Sequence, residues 1–297
     1  MRIIKFTLLL AVVITITSCA SKKVSFLVSD TEELKAPVNI DFSNTSEEWE
    51  SFVWDFGDGT MSTDTAPSHT YYLSGTYTVT LKGKSGKKIK ESKQLIEVMP
   101  PDRCLIRIET EYGEMLAELS DLTPLHRDNF IKLADEGFYN DLLFHRVIKG
   151  FMVQGGDPNS RNAPAGQPLG SGSPGYQIDA EFNSELAHVK GAIAAARVGG
   201  PSNPKKRSRG SQFYIVHGKP VQEASLKQME RRHGQNYPED VMKTYIANGG
   251  TPFLDQDYTV FGQVIQGLEV IDKIAQVETN RQDRPDNDVA MKVSVIK

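Results

Sequence analysis

The alternation of apolar and polar positions changes character along this chain. Arg2 and Lys5 precede an almost unbroken apolar run, Phe6 to Ile16, whose roughly eleven residues are too few to cross a bilayer comfortably and have the form of an export leader. Residues 24–98 then alternate in short stretches broken by Gly, Asp and Ser, with no sustained helical period, which predicts a β-sandwich. Phe52, Trp54 and Phe56 fall at period two, on one face of a strand, and Gly57-Asp58-Gly59 supplies the turn after it. Thr76 to Leu81 alternates again after Gly75. Met99-Pro100-Pro101-Asp102 ends this region, because a double proline stops a strand and stiffens a linker.

Beyond the break, residues 103–297 mix strands with a few helices. Cys104 to Glu109 and Glu114 to Leu119 form a hairpin through Tyr112-Gly113. Thr123-Pro124 predicts a helix start, with the threonine hydroxyl as N-cap and proline at the first helical position. Phe130, Leu133 and Ala134 share its inner face and Gly137 stops it. A second helix is expected from Leu268 to Ala275, and the last strands from Thr259 to Ile265 and Val289 to Ile296. Within a stretch from roughly Lys219 to Gly250, Leu226 and Met229, then Val241-Met242 and Tyr245-Ile246, predict two short amphipathic helices around Gly234 to Pro238. Strands outnumber helices and no βαβ alternation occurs, so the chain reads as mainly β rather than a doubly wound parallel sheet.

Composition narrows the chemistry. In 297 residues there are 34 basic and 38 acidic side chains, a net charge of -4, and two cysteines. The chain is not a disulfide scaffold, and its charge gives no global pull toward nucleic acid. The six histidines are scattered without ligand spacing, and no nucleophile elbow, phosphate loop or zinc-protease helix occurs, so metal-dependent and covalent mechanisms lose ground. Cys104 sits in an apolar run and is expected to be a buried, inert thiol. The densest feature is the block from Phe144 through Arg146, Ile148, Phe151, Met152 and Gln154 to Asp157. In strand geometry Phe144, Arg146 and Ile148 point to one side, which stands a guanidinium beside apolar side chains.

Three resemblances give these features a function. Ile16-Thr17-Ser18-Cys19 resembles the lipobox of bacterial lipoproteins. That implies a signal peptide over 1–18, acylation of Cys19 with fatty chains such as palmitate, and a lipid anchor holding the protein to a membrane of the bacterial cell envelope, extracytoplasmic, with the outer membrane favoured by the absence of Asp after Cys19. Trp54-Asp55-Phe56-Gly57-Asp58-Gly59-Thr60, His69-Thr70-Tyr71 and Gly75-Thr76-Tyr77-Thr78-Val79 resemble the signature of PKD domains, which implies an immunoglobulin-like sandwich over 19–99 with a short N-terminal tether. Asp55, Asp58 and Asp64 there suit turn geometry better than calcium. Such a domain is a spacer or meets a protein or glycan partner.

The block at 144–157, with Gly191 to Ala196, Gly210 to Ile215, Phe253-Leu254-Asp255 and Tyr258 to Gly262, resembles the signature of cyclophilin-type peptidyl-prolyl cis-trans isomerases across 103–297. The resemblance implies an eight-stranded antiparallel β-barrel with capping helices, here carrying the helical insertion at about 219–250. It implies Arg146 as the catalytic residue, Gln154 and Gln212 as polar contacts, Phe151, Met152, Tyr214 and Leu254 as the proline pocket with Ala196 beside them, and Phe253 and Tyr258 at its border. Period two does put Gln212 and Tyr214 on one face, whereas it does not group Phe151 with Met152 and Gln154. Phe253 stands where many family members have tryptophan, and Tyr214 where phenylalanine is usual, so the Tyr214 hydroxyl needs a partner in a dry pocket. The implied partners are proline-containing polypeptides, and the implied reaction needs no cofactor; the charge balance already argues against nucleic acid. The competing reading is a chaperone or scaffold that binds proline segments with little turnover and uses the PKD domain for partner contacts. Two local questions stay open in the sequence: whether the insertion covers the groove or packs beside it, and whether Lys205, Lys206, Arg207 and Arg209 form a solvated loop or steer acidic substrates.

Overall fold

The structure is a computed structural model that describes residues 22–29, 34–99, 101–234 and 236–297. The leader and Cys19 lie outside the described residues. Among the described residues no helix is long and apolar enough to cross a membrane. The chain divides into two compact units, one within residues 22–98 and one dominated by 99–297.

The first unit holds β1 (Phe26–Val28), β2 (Val38–Asn44), β3 (Ser51–Asp55), β4 (Met61–Ser62), β5 (Ser68–Tyr71), β6 (Gly75–Ser85) and β7 (Lys88–Val98). They form two antiparallel sheets, β1-β2-β5 and β4-β3-β6-β7. Aromatic rings join the sheets: Phe26 and Phe42 from one lie 5.2 and 5.6 Å from the Trp54 ring of the other. Trp54 is fully buried and donates its indole N–H to the Asp64 carbonyl at 2.9 Å, which meets the need of a buried indole for a partner. The aspartates are occupied by their own turns. Asp55 accepts from the Gly57 N–H, and Asp58 accepts from the N–H and hydroxyl of Thr60 and pairs with His69.

The second unit contains β8 (Leu105–Thr110), β9 (Gly113–Leu119), α1 (Pro124–Asp135), β10 (Leu142–Leu143), β11 (Arg146–Ile148), β12 (Met152–Gly155), β13 (Gln177–Ile178), β14 (Ala192–Arg197), β15 (Ser208–Val216), α2 (Glu223–His233), α3 (Glu239–Asn248), β16 (Val260–Gln266), α4 (Leu268–Ile274) and β17 (Ala290–Ile296). The sheet runs β10-β17-β8-β9-β16-β14-β15-β12-β11, with β13 pairing beside β15. Its two end strands are halves of one segment, Leu142–Ile148, so the sheet curls round until its ends meet in the chain. With that segment taken as one interrupted strand, eight antiparallel strands surround the core. The core is apolar: Ile106, Ile108 and Met115 from the hairpin, Phe213 and Ile215 from β15, Phe130 and Leu133 from α1, and Ile271 and Ile274 from α4.

Three expectations change here. The interruption at residues 144 and 145 resets the alternation, so Phe144 does not share a side with Arg146 and Ile148. It is fully buried in the interior with Val147, while Arg146 and Ile148 face outward. Thr123 does precede α1, but its hydroxyl makes no capping bond; the Glu181 carboxylate accepts the Leu125 and His126 N–H groups instead, each at 3.0 Å. Cys104 is half-buried at the edge of the core rather than enclosed.

The insertion is a closed excursion. Lys219 bridges to Gly250, and a Cβ on Gly218 would stand 2.6 Å from the Gly250 Cα, so the two ends of the segment meet in a neck too tight for side chains. Its α2 and α3 pack Leu226, Val241 and Tyr245 on Ala187 and Val189, and none of its described residues lines the cavity below: it sits beside the groove, not over it.

Candidate active site

The outer faces of β11, β12, β15 and β14 present one row. Arg146 pairs in register with Gln154, Gln154 with Tyr214, and Tyr214 with Ala194, so the four side chains follow each other across the sheet on one side. Met152 and Ala196 extend the row's apolar part. A cavity of about 490 Å³ opens over it. Arg146, Phe151, Met152, Gln154, Ala196, Gln212, Tyr214, Leu254 and Tyr258 all line this cavity. Phe151 joins them from the turn before β12, where strand alternation does not apply. Phe253 does not line it; 46% exposed, it stacks on the Phe151 ring at 5.8 Å from the rim.

The polar groups are fixed by hydrogen bonds. Gln154 Nε2 donates to Gln212 Oε1 at 3.1 Å, and Gln212 Nε2 donates to the carbonyls of Gly170 and Gly172 at 3.1 and 2.7 Å. The fully buried Asp157 accepts from the N–H groups of the same two glycines, which pins the loop that forms one wall. Gly156 has φ +82°, and a Cβ there would strike the Ser211 carbonyl at 2.2 Å; only glycine lets the β12 end approach β15 so closely. Arg146 is 42% exposed at its side chain and directs Nε to Asp283 at 3.3 Å, while the Val147 N–H donates to the Asp283 carbonyl at 2.8 Å. The Arg197 guanidinium, which also lines the cavity, stands 4.5 Å from the Tyr258 ring centre. The Tyr214 hydroxyl finds the partner it needs in His188 Nε2 at 2.9 Å, and burial raises its pKa well above the ordinary value. His145, at the edge of the cavity, is pushed down to about 4 by burial, with Asp157 opposing that shift.

Residue patterns alone missed several of these groups. Gln167 to Gly170, Gln282 and Arg284 come from irregular loops and carry no motif. Asp283, with φ 63°, lies in a polar stretch that reads as a surface turn. Two of the four basic side chains of the loop are paired, Lys206 with Asp257 at 2.6 Å and Arg207 with Asp179 at 2.8 Å, while Arg209 donates to the neutral Ser171 carbonyl and Lys205 is exposed.

Comparison with known proteins decides the family. Residues 105–295 match the family described as cyclophilin type peptidyl-prolyl cis-trans isomerase/CLD. The chain belongs to the cyclophilin family. Residues 25–99 match the PKD domain family, so a PKD domain precedes the cyclophilin domain. A Staphylococcus haemolyticus protein named "Putative peptidyl-prolyl cis-trans isomerase" is 36% identical over 199 residues, 67% of this chain and 93% of its own length. A Staphylococcus saprophyticus protein of the same name is 37% identical over 185 residues, 62% of this chain and 87% of its own. A crystal structure of a Cryptosporidium parvum cyclophilin type peptidyl-prolyl cis-trans isomerase aligns at TM-score 0.48 and 25% identity, covering 66% of this chain and 98% of that one. The cyclophilin domain is thus an isomerase domain for peptidyl-prolyl bonds.

Proposed function

We propose that this protein is a lipid-anchored isomerase that turns Xaa-Pro bonds in proteins outside the cytoplasm, with Arg146 as its catalytic residue. The observation that carries the site is the register row Arg146-Gln154-Tyr214, all three of which line one apolar-floored cavity with Met152 and Ala196. Amide resonance sets a barrier of about 18–20 kcal/mol to rotation, and only Xaa-Pro bonds populate both isomers appreciably. Rotation breaks no covalent bond, so the site needs no nucleophile. It must bind the twisted amide more tightly than the planar one, and each preference of about 1.36 kcal/mol gives about tenfold in rate.

Phe151, Met152, Leu254 and the Tyr214 ring grip the pyrrolidine and exclude water. Arg146, steadied through Nε by Asp283, offers its terminal amines to the pyramidal proline nitrogen and to the neighbouring carbonyl. Gln154 and Gln212, locked to each other, meet the flanking backbone. The leaderless protein should accelerate isomerisation of a Xaa-Pro peptide, and Arg146→Ala should lower kcat/KM about a hundredfold, the scale of losing one charged donor to a transition state. An unchanged rate in the variant would remove Arg146 from the role.

The anchor rests on Arg2, Lys5, the apolar run and Ile16-Thr17-Ser18-Cys19. Cys19→Ser should abolish palmitate incorporation and move the protein from the membrane to the soluble fraction; persistence of either sinks the anchor. The PKD domain then serves as a spacer between anchor and isomerase. Any protein or glycan partner meets its outer faces, because Trp54, Phe56 and Tyr71 are committed to its core.

A further inference from the structure

Behind the cavity wall lies a buried set of polar groups that the isomerase reaction does not use directly. Asp255 is only 4% exposed, and both of its oxygens are occupied. Oδ1 accepts the His188 backbone N–H at 2.9 Å and lies 2.7 Å from His188 Nδ1. Oδ2 accepts the hydroxyls of Tyr237 at 2.7 Å and Tyr245 at 2.6 Å. Burial alone would raise the Asp255 carboxyl, but the hydrogen bonds from His188, Tyr245 and Tyr237 outweigh it and hold the group below its ordinary range. An ionised carboxylate only accepts, so His188 carries a proton on Nδ1, and its Nε2 shares a hydrogen bond with the Tyr214 hydroxyl, 2.9 Å away.

The chain of bonds therefore runs from the helical insertion to the floor of the cavity. Tyr245 stands on α3 and Tyr237 on the connection before it, and Tyr214 stands on β15 beside Gln154. Neither insertion tyrosine reaches the cavity. A phenylalanine at position 214 would end this chain at His188.

We infer that Tyr245 and Tyr237 are positioning residues for the isomerase: through Asp255 and His188 they fix the Tyr214 ring against which the substrate proline packs, so the insertion sets the affinity of the groove for Xaa-Pro segments. The inference rests on the assignment of this cavity as the substrate groove. A hydrogen bond that is made through an intermediary tunes a surface rather than building it, so the effect should fall on binding more than on the chemical step.

The test uses full-length protein and a proline-containing peptide substrate. Tyr245→Phe and Tyr237→Phe remove one hydroxyl each and should raise KM about fivefold, the scale of one hydrogen bond, with kcat changed less than about twofold. In a Tyr214→Phe background the same substitutions should change KM less than about twofold, because the chain no longer reaches the pocket. Nuclear magnetic resonance of His188 should show a proton held on Nδ1 in the parent and a displaced signal in Tyr245→Phe. Unchanged KM in both single variants, or an equal rise with and without the Tyr214 hydroxyl, overturns the inference. So does a loss confined to the fraction of folded protein. Arg146→Ala run in parallel separates the two levels: if it keeps full turnover, the groove assignment and the inference fall together, and if it is inactive while Tyr245→Phe and Tyr237→Phe both match the parent in KM, only the positioning role falls.

Discussion

The two sides of β14 and β15 are built on the same backbone and do opposite things. On the inner side Ile193, Ala195, Phe213 and Ile215 join the barrel core; Phe213 meets the Phe130 and Tyr139 rings edge-on at 5.2 and 5.6 Å. On the outer side Ala192, Ala194 and Ala196 are small, and Gln212 and Tyr214 bring polar tips. Interdigitated large side chains leave no space inside. Outside, Ala196 beside the Tyr214 ring borders a hollow, which is where a pyrrolidine ring can sit. Period two thus separates stability from recognition, residue by residue, along a single strand.

Substitutions can break that separation or sharpen it. The largest effect is expected from Phe213→Ala, which should cost about 3–5 kcal/mol of stability in denaturant unfolding while leaving KM of the remaining folded protein unchanged. A large change in KM there would mean the two sides are not independent. Next comes His145, which stands where the chain crosses from inner to outer side. Its folded pKa of about 4 lies below the unfolded value of about 6.5, so the unfolded chain takes up the proton first as pH falls. Stability should decline by up to about 3 kcal/mol between about pH 6.5 and 4 from this group, and His145→Leu should remove that part of the slope in unfolding curves taken across the window. The smallest effect on stability belongs to Ala196→Leu. Filling the hollow should raise KM about tenfold with a midpoint of unfolding within a few degrees of the parent, since Ala196 lines the cavity and lies outside the barrel core.

Much of this arrangement is legible in the sequence, for a physical reason in each case. The hairpin at Tyr112-Gly113, α1 with its inner face of Phe130, Leu133 and Ala134, and both insertion helices follow from local periodicity and local stops. Gln212 and Tyr214 share a face because they are two residues apart on an uninterrupted strand. What escaped depends on partners far along the chain. Glu181 replaces the Thr123 hydroxyl as the cap of α1 from more than fifty residues away, and Asp283 reaches Arg146 across 137 positions. The break at Phe144 and His145 is local, but it shows only as a failure of alternation, and no glycine or proline marks it. The Tyr214 hydroxyl demanded a partner on chemical grounds alone; which histidine would answer lay in the packing of the 188 region against β15.

The neck formed by Gly218, Lys219 and Gly250 has a consequence for how such a domain can diversify. Because the excursion leaves and rejoins the barrel at one point, residues can be added to or taken from it without a change in strand register, and the closure entropy rises only slowly with length. The barrel can thus carry interchangeable attachments at this site, each able to retune the same pocket from outside while the catalytic surface keeps its form.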